Sequence, residues 1–253
     1  AVSQAISTLE AETKLRLLNR DTRHVSLTES GRHFYNGCQE VLQSVERLDE
    51  LTDHLTGENS GTLRVACSNL FGSRVLVPAL NHFMEFHPHL KMDLCVQDDV
   101  ASMADGAIDV TVRIGWPQDS SLIARRLFET RQLVVSTPEY LHKHRAPLAP
   151  EELREMNWLS LTRHRFRNLI TLTDREDHEY SVPLNSRMLT DNSAMLFSLL
   201  MAHNGITALP ECNIISELEQ GDLVELLPDF KLEPLGVYVI YPSRDNLPQK
   251  TRL

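Results

Sequence analysis

Apolar residues recur along this chain in three different rhythms, and each rhythm implies a different kind of element. Near the start, Ala5, Ile6, Leu9, Leu15 and Leu18 return at roughly helical steps. Ser3, Gln4, Ser7 and Thr8 take the other face of that helix. Arg20-Asp21-Thr22-Arg23-His24 then reads as a polar turn, and Val25-Ser26-Leu27 alternates as a short strand. Thr28 is placed to cap the next helix, with Glu29 favourable in its first turn. Residues 29–56 follow as one long helix without proline. Phe34, Cys38, Val41, Val45, Leu48 and Leu55 form a heptad seam on it, broken only by Thr52. So narrow a seam on a polar helix predicts a partner helix, the other reading being a surface helix packed on its own domain. Gly57-Glu58-Asn59-Ser60-Gly61 ends the helix and reads as a hinge.

From Thr62 the rhythm changes to strands alternating with helices. Leu63–Cys67, Leu90–Val96 and Ile108–Arg113 read as strands, Arg74–His87 as a helix stopped by Pro88, and Asp99–Ala104 as a short helix. This βαβαβ series implies a parallel sheet covered by helices. A second unit starts near Leu122, with strands at Leu133–Ser136, Trp158–Leu161, Arg187–Thr190, Gly205–Pro210 and Leu223–Leu227. Its helices are expected at Pro138–Leu141, Ser193–His203 and Asn213–Gln220, and a hairpin at Leu169–Leu172 and Tyr180–Val182 around the turn Asp174–Glu179. Val237–Tyr241 reads as a strand returning to the first unit. Two α/β lobes joined by crossing strands resemble periplasmic binding proteins. The predicted division is a head at 1–28, a linker helix and hinge at 29–61, and a two-lobed domain at 62–253. Its first lobe takes about 62–121 and 235–253, its second about 122–234.

Composition changes this picture little. Hydrophobic residues make up 42% of the 253, enough for real cores. No run approaches the roughly 20 apolar residues of a membrane span, and no signal peptide is visible. Cys38, Cys67, Cys95 and Cys212 are widely spaced, with no CxxC or Cys/His cluster that would suggest zinc. A reduced cytoplasmic compartment fits them best. Cys67 and Cys95 end two apolar runs, so a redox pair is conceivable beside the plainer reading of buried thiols. The net charge of −10 argues against nucleic acid until it is partitioned. Residues 1–35 hold Lys14, Arg16, Arg20, Arg23 and Arg32 against Glu10, Glu12, Asp21 and Glu29, a net of +1.

The first helix and the basic ribbon together carry a DNA-binding arrangement. Ser3, Gln4 and Ser7 are short or amide side chains that reach phosphates and base edges, and Arg20 and Arg23 lie along the ribbon. The segments AVSQAISTLE, LLNR and VSLTESG closely resemble the winged helix-turn-helix of LysR-type transcriptional regulators. Glu12-Thr13-Lys14 departs from the acidic residue, Leu and Gly usual there. The resemblance continues through Val112-Arg113-Ile114-Gly115, Asp119-Ser120-Ser121-Leu122, Gly205–Pro210 and Tyr241-Pro242-Ser243-Arg244. It implies a winged helix-turn-helix remnant, a linker helix, and a two-lobed, periplasmic-binding-protein-like effector domain. It also implies double-stranded promoter or operator DNA as a partner, a small-molecule effector, and a homodimer with a tetramer open. The chain begins inside the expected recognition helix and stops before a last helix, so a piece of a longer protein is expected.

In two-lobed α/β domains ligands bind outside the carboxyl ends of the strands. Three segments qualify here: Ser68-Asn69-Leu70, Arg113-Ile114-Gly115-Trp116, and Thr190-Asp191-Asn192-Ser193. A small organic anion or an aromatic compound suits them, Arg113 gripping a carboxylate. Taken singly, Ser68 and Asn192 read equally well as helix caps, and Arg113 as a surface partner of Asp109 or Asp119. His164 among Arg163, Arg165 and Arg167 makes the most basic patch, a partner surface or a solvated loop. No nucleophile elbow, phosphate loop or dinucleotide fingerprint is present, and nothing calls for a cofactor or a metal. The sequence therefore predicts a ligand-responsive transcription factor and not an enzyme. Its rival is a solute-binding protein without DNA-binding activity, which leaves the heptad helix and the ribbon without a role.

Overall fold

A helix, a two-stranded ribbon and a long second helix open the chain: α1 Val2–Thr13, β1 Leu18–Arg20, β2 Val25–Leu27 and α2 Glu29–Thr56. The computed structural model describes residues 2–20, 25–56, 61–96, 108–115, 122–162, 168–242 and 249–252. The apolar rhythm carried the first helix toward Leu18, but α1 ends at Thr13 and Lys14 turns left-handed with φ 56°. The Glu10 carboxylate then accepts the N–H groups of Leu17 and Leu18 at 2.8 and 3.0 Å, which folds the chain back along the helix. Leu17 is buried by that reversal, whereas Leu15 stays 43% exposed.

Thr28 caps α2 as expected, its hydroxyl accepting the Gly31 N–H at 2.9 Å. The same hydroxyl donates to the Arg16 carbonyl at 2.6 Å, so one side chain both starts α2 and ties it to the ribbon. A Cβ on Gly31 would lie 2.0 Å from the Leu17 carbonyl oxygen, which is why no side chain fits there. Along α2, Val41, Leu42 and Val45 are 64, 58 and 51% exposed, so this stretch is not packed on its own domain. Side chains of Leu48 and Leu55, and residues 57–60 of the expected hinge, lie outside the described part. Gly61 belongs to the first strand of the next domain.

That strand is β3, Gly61–Cys67, followed by α3 Asn69–Phe71, a π-helical turn Gly72–Leu76, and α4 Val77–Phe86. The helical run thus starts five residues before the expected Arg74. Pro78 has no N–H to give, and the Val77 N–H reaches back to the Gly72 carbonyl in the π turn. Next come β4 Leu90–Val96, β5 Val110–Gly115, β6 Leu122–Thr130, β7 Gln132–Ser136, α5 Pro138–Lys143, β8 Trp158–Leu161, and the hairpin β9 Leu169–Thr173 with β10 Glu179–Pro183. The chain closes with β11 Ser186–Thr190, α6 Ser193–Met201, β12 Ile206–Pro210, α7 Ile215–Gln220, β13 Val224–Glu225, β14 Leu235–Pro242 and α8 Gln249–Arg252. The short helix expected at Asp99–Ala104 and the basic patch at Arg163–Arg167 lie outside the described residues.

The first sheet has the order β4-β3-β5-β14-β6. β3 is parallel to β4 and β5, while β14 is antiparallel to β5 and β6. Two expectations are corrected here. The sheet is mixed and not all parallel, because the returning strand inserts the other way. Leu122–Thr130 is a strand of the first lobe, so the crossing falls at Arg131 and not near Leu122. The register also settles the cysteines. Cys95 stands beside Ala66 and Cys67 beside Val96, so the two thiols point to opposite faces of the sheet and cannot pair. None of the four cysteines is in a disulfide.

The second sheet has the order β11-β8-β12-β7-β13. Both its faces are covered. Val134, Trp158 and Ile170 pack on one side, and Leu133, Val135, Leu159, Leu196 and Leu209 on the other. This is why Leu133, Val134 and Val135 of β7 are apolar in succession. The lobes interlock: Leu70 of the first lobe sits in the second lobe's core, and Cys212 of the second packs against the first lobe's core.

Candidate functional site

Gln4, Ala5, Ser7, Thr8, Ala11 and Glu12 of α1 are exposed, Ala5 against the expectation of an apolar face, while Ile6, Leu9, Glu10 and Thr13 are half-buried. The sequence put Gln4 and Ser7 on the outer face, and the structure leaves both exposed there. The side chains of Ser3 and Arg20, and the whole of Arg23, lie outside the described residues. Glu10, which looks like one more charged surface residue, instead holds the helix-to-ribbon turn.

Between the lobes is a cleft of about 570 Å³, within the usual size of a small-molecule site. Ser68, Leu70, Arg113, Ile114, Gly115, Asn192 and Ser193 line it, coming from three separated segments as expected. Asn69 and Thr190 do not line it, and Trp116 lies outside the described residues. Thr190 works one step back, its hydroxyl accepting the Asn192 N–H at 3.2 Å. Gly115 ends β5 with φ 126°, a backbone state that only glycine takes without strain.

The capping question divides the polar residues. Asn192 is a cap, its Oδ1 accepting the Met195 N–H at 2.9 Å at the start of α6. Ser68 stands at the start of α3 without any side-chain cap bond. Ser193 Oγ accepts the Leu70 N–H at 3.3 Å, a bond made across the two lobes. Asp109, one suggested partner of Arg113, is engaged elsewhere: it accepts the Arg64 N–H at 2.9 Å and faces the Lys250 ammonium at 3.2 Å. The other, Asp119, lies outside the described residues.

Asp191, within the third expected segment, lines the cleft as well, while the sequence reading missed Gln132, Trp158, Ser160, Thr207 and Asn213. Three of them are polar residues inside otherwise apolar strands: QLVVS, WLSL and ITALP. A polar residue interrupting a buried run was the signal available. Behind the cleft, Arg74 pairs with Glu217 of the other lobe at 2.6 Å and lies over the Phe197 ring at 4.3 Å. At the lobe hinge, where the chain crosses between the two sheets, the Arg131 guanidinium makes a two-pronged pair with Glu211, Nε to Oε2 at 3.0 Å and a second bond from Nη2 to Oε1. That guanidinium hydrogen bond holds the Glu211 carboxyl below its ordinary range. Among the described residues no group of three or more His, Cys, Asp or Glu is placed to hold a metal ion.

Residues 56–253 match the LysR substrate binding domain family, and residues 1–32 match the bacterial regulatory helix-turn-helix protein, lysR family. The chain belongs to the LysR family of transcriptional regulators. The HTH-type transcriptional activator AaeR of Escherichia coli K12 is 32% identical over the whole chain and 82% of its own length. Among solved structures, the full-length Vibrio cholerae virulence activator AphB is 31% identical with a TM-score of 0.72, the match covering 99% of this chain and 86% of that one. CrgA from Neisseria meningitidis is 28% identical with a TM-score of 0.66, covering 96% and 82%. This LysR-type regulator therefore combines a helix-turn-helix segment with a two-lobed effector-binding domain. The rival reading, a solute-binding protein without DNA-binding activity, is set aside by the helix-turn-helix match at residues 1–32. No described helix is long and apolar enough to cross a membrane.

Proposed function

We propose that this regulator acts in the cytoplasm as a homodimer on promoter or operator DNA and is switched by a small organic anion or aromatic compound held between its lobes. Ser3, Gln4, Ser7, Arg20 and Arg23 are the DNA contacts in this reading. Binding energy, and not catalysis, is its output. The observation that carries the proposal is convergence: Ser68, Arg113 and Asn192, from three separated segments, line one cleft. That cleft belongs to a chain whose first helix exposes Gln4 and Ser7.

A ligand touching both lobes biases their angle only if it binds one arrangement more tightly than the other. Mobility-shift titrations of the full-length protein on its own promoter region test the DNA part. Gln4→Ala is expected to relax or abolish specific binding, and Arg23→Ala to weaken binding and flatten its salt dependence. Wild-type behaviour in both variants defeats the assignment. For the cleft, Ser68→Ala removes a hydroxyl that caps nothing, and is expected to weaken effector binding by about 1–3 kcal/mol. Asn192→Asp keeps the cap and adds a negative charge, so it should weaken an anionic effector in particular. Both substitutions should leave DNA affinity without effector unchanged.

A further inference from the structure

Gln132 is the first residue of β7, just past the point where the chain crosses between the sheets. It is 4% exposed, lines the cleft, and its side-chain carbonyl oxygen is buried with no hydrogen-bond partner among the described residues. Three other polar side chains along the cleft have partners. Thr207 donates to the Leu159 carbonyl at 2.8 Å, Ser160 shares a bond with Ser186 at 2.7 Å, and Asn192 caps α6. An orphaned buried carbonyl is destabilising, and a methionine would fill the same space without that penalty. An amide here is explained by something that enters the cleft and meets it.

We propose that Gln132 is a specificity-determining residue that reads a hydroxyl on the effector, so that the effector is a hydroxylated small organic acid. This rests on the cleft being the effector site. A bare C–H edge leaves the carbonyl unmet. A carboxylate placed against it is repelled, and an ammonium would bring a charge into a buried part of the wall. A hydroxyl donates to the carbonyl oxygen and also accepts from the amide nitrogen, so it suits either orientation of the amide. The acid group of such a ligand falls to the Ser68, Arg113 and Asn192 wall, its apolar body to Ile114 and Leu209, and its hydroxyl to the crossing strand.

The test is calorimetry on the full chain with cyclohexanecarboxylate and benzoate, each beside its ring-hydroxylated counterparts. The wild-type protein is expected to bind a hydroxylated member at least about tenfold more tightly than its parent acid. Gln132→Met should erase that preference, the hydroxylated acid and its parent then binding within about twofold of one another. Its thermal midpoint without ligand should equal or exceed that of the wild type, since no bond made in the structure is lost. A lower midpoint together with weaker binding of every acid would show a structural glutamine and overturn the proposal. Retention of the preference in Gln132→Met overturns it as well, and binding of none of the acids rejects the ligand class. The Ser68→Ala and Asn192→Asp variants separate the two levels. If they weaken binding and Gln132→Met leaves the preference intact, only the reading of Gln132 fails; if the acids bind and neither variant matters, the cleft itself is wrong.

Discussion

Lys14 sits where the backbone turns left-handed at the end of α1, with φ 56°. A side chain in that conformation is strained, and glycine is the residue that relieves the strain. Lys14→Gly is therefore expected to stabilise the α1-to-ribbon turn by about 1 kcal/mol, seen as slower hydrogen exchange of the α1 amides. Faster exchange would mean that the lysine contributes contacts outweighing its backbone cost. The sequence marked this position as unusual but gave no reason for it. The reason lies in Glu10, whose partners Leu17 and Leu18 become its neighbours only once the chain has reversed. Thr28 was legible because a cap acts on its own helix, within three residues. The place of Ser68, Arg113 and Asn192 on the cleft wall was legible because strand and helix ends open toward the crevice between such lobes. Gln132 was not, since nothing local distinguishes an unmet amide from a satisfied one.

At the scale of elements, α2 came through from periodicity with both its ends, Glu29 and Thr56. A long helix with a regular seam is decided by local repetition. Its exposed Val41, Leu42 and Val45 form the apolar surface on which the proposed homodimer is expected to pack. Val41→Asp combined with Val45→Asp would place charges in that contact at a cost of several kcal/mol. If the proposed dimer packs through α2, light scattering should then show its dissociation, and an unaltered dimer would move the interface off α2. Strand boundaries shifted more. β5 runs Val110–Gly115, two residues beyond the predicted span, and β6 was not separated from the second lobe at all. β6 is exposed over most of its length and lacks a clean apolar alternation. What makes it a first-lobe strand is its pairing with β14, more than a hundred residues later in the chain.

The whole molecule is held together by contacts between the lobes as well as by the crossing strands. Leu70 anchors the first lobe in the second, the Arg74 and Glu217 pair braces the back of the cleft, and Arg131 with Glu211 clamps the hinge. The clamp gives a pH signature. Glu211 titrates below its ordinary value of 4.5 in the folded state, mainly because Arg131 hydrogen-bonds its charged form. Its contribution is thus fully present above 4.5 and lost as pH falls through the lower folded value. Thermal denaturation across that acid range should show this loss in the wild type and a flatter profile in Arg131→Leu. Equal slopes in the two proteins would show that the clamp does not stabilise the hinge. Salt should also weaken the clamp, because the Arg131 side chain is 61% exposed.

Taken alone, the sequence determined the elements whose causes are local: α1, the ribbon, the capped linker helix, and most strands and helices of two α/β lobes. It also determined the family, through motifs that survive as short strings. Tertiary structure decided what depends on residues far apart in the chain. It fixed where the chain crosses between lobes, the mixed pairing of the first sheet and the opposite facing of Cys67 and Cys95. It also decided which polar residues are spent on caps and which are left facing the cleft. The division has one physical source: helix periodicity and capping act over a few residues, whereas strand pairing, burial and hydrogen-bond satisfaction are settled only when distant segments meet.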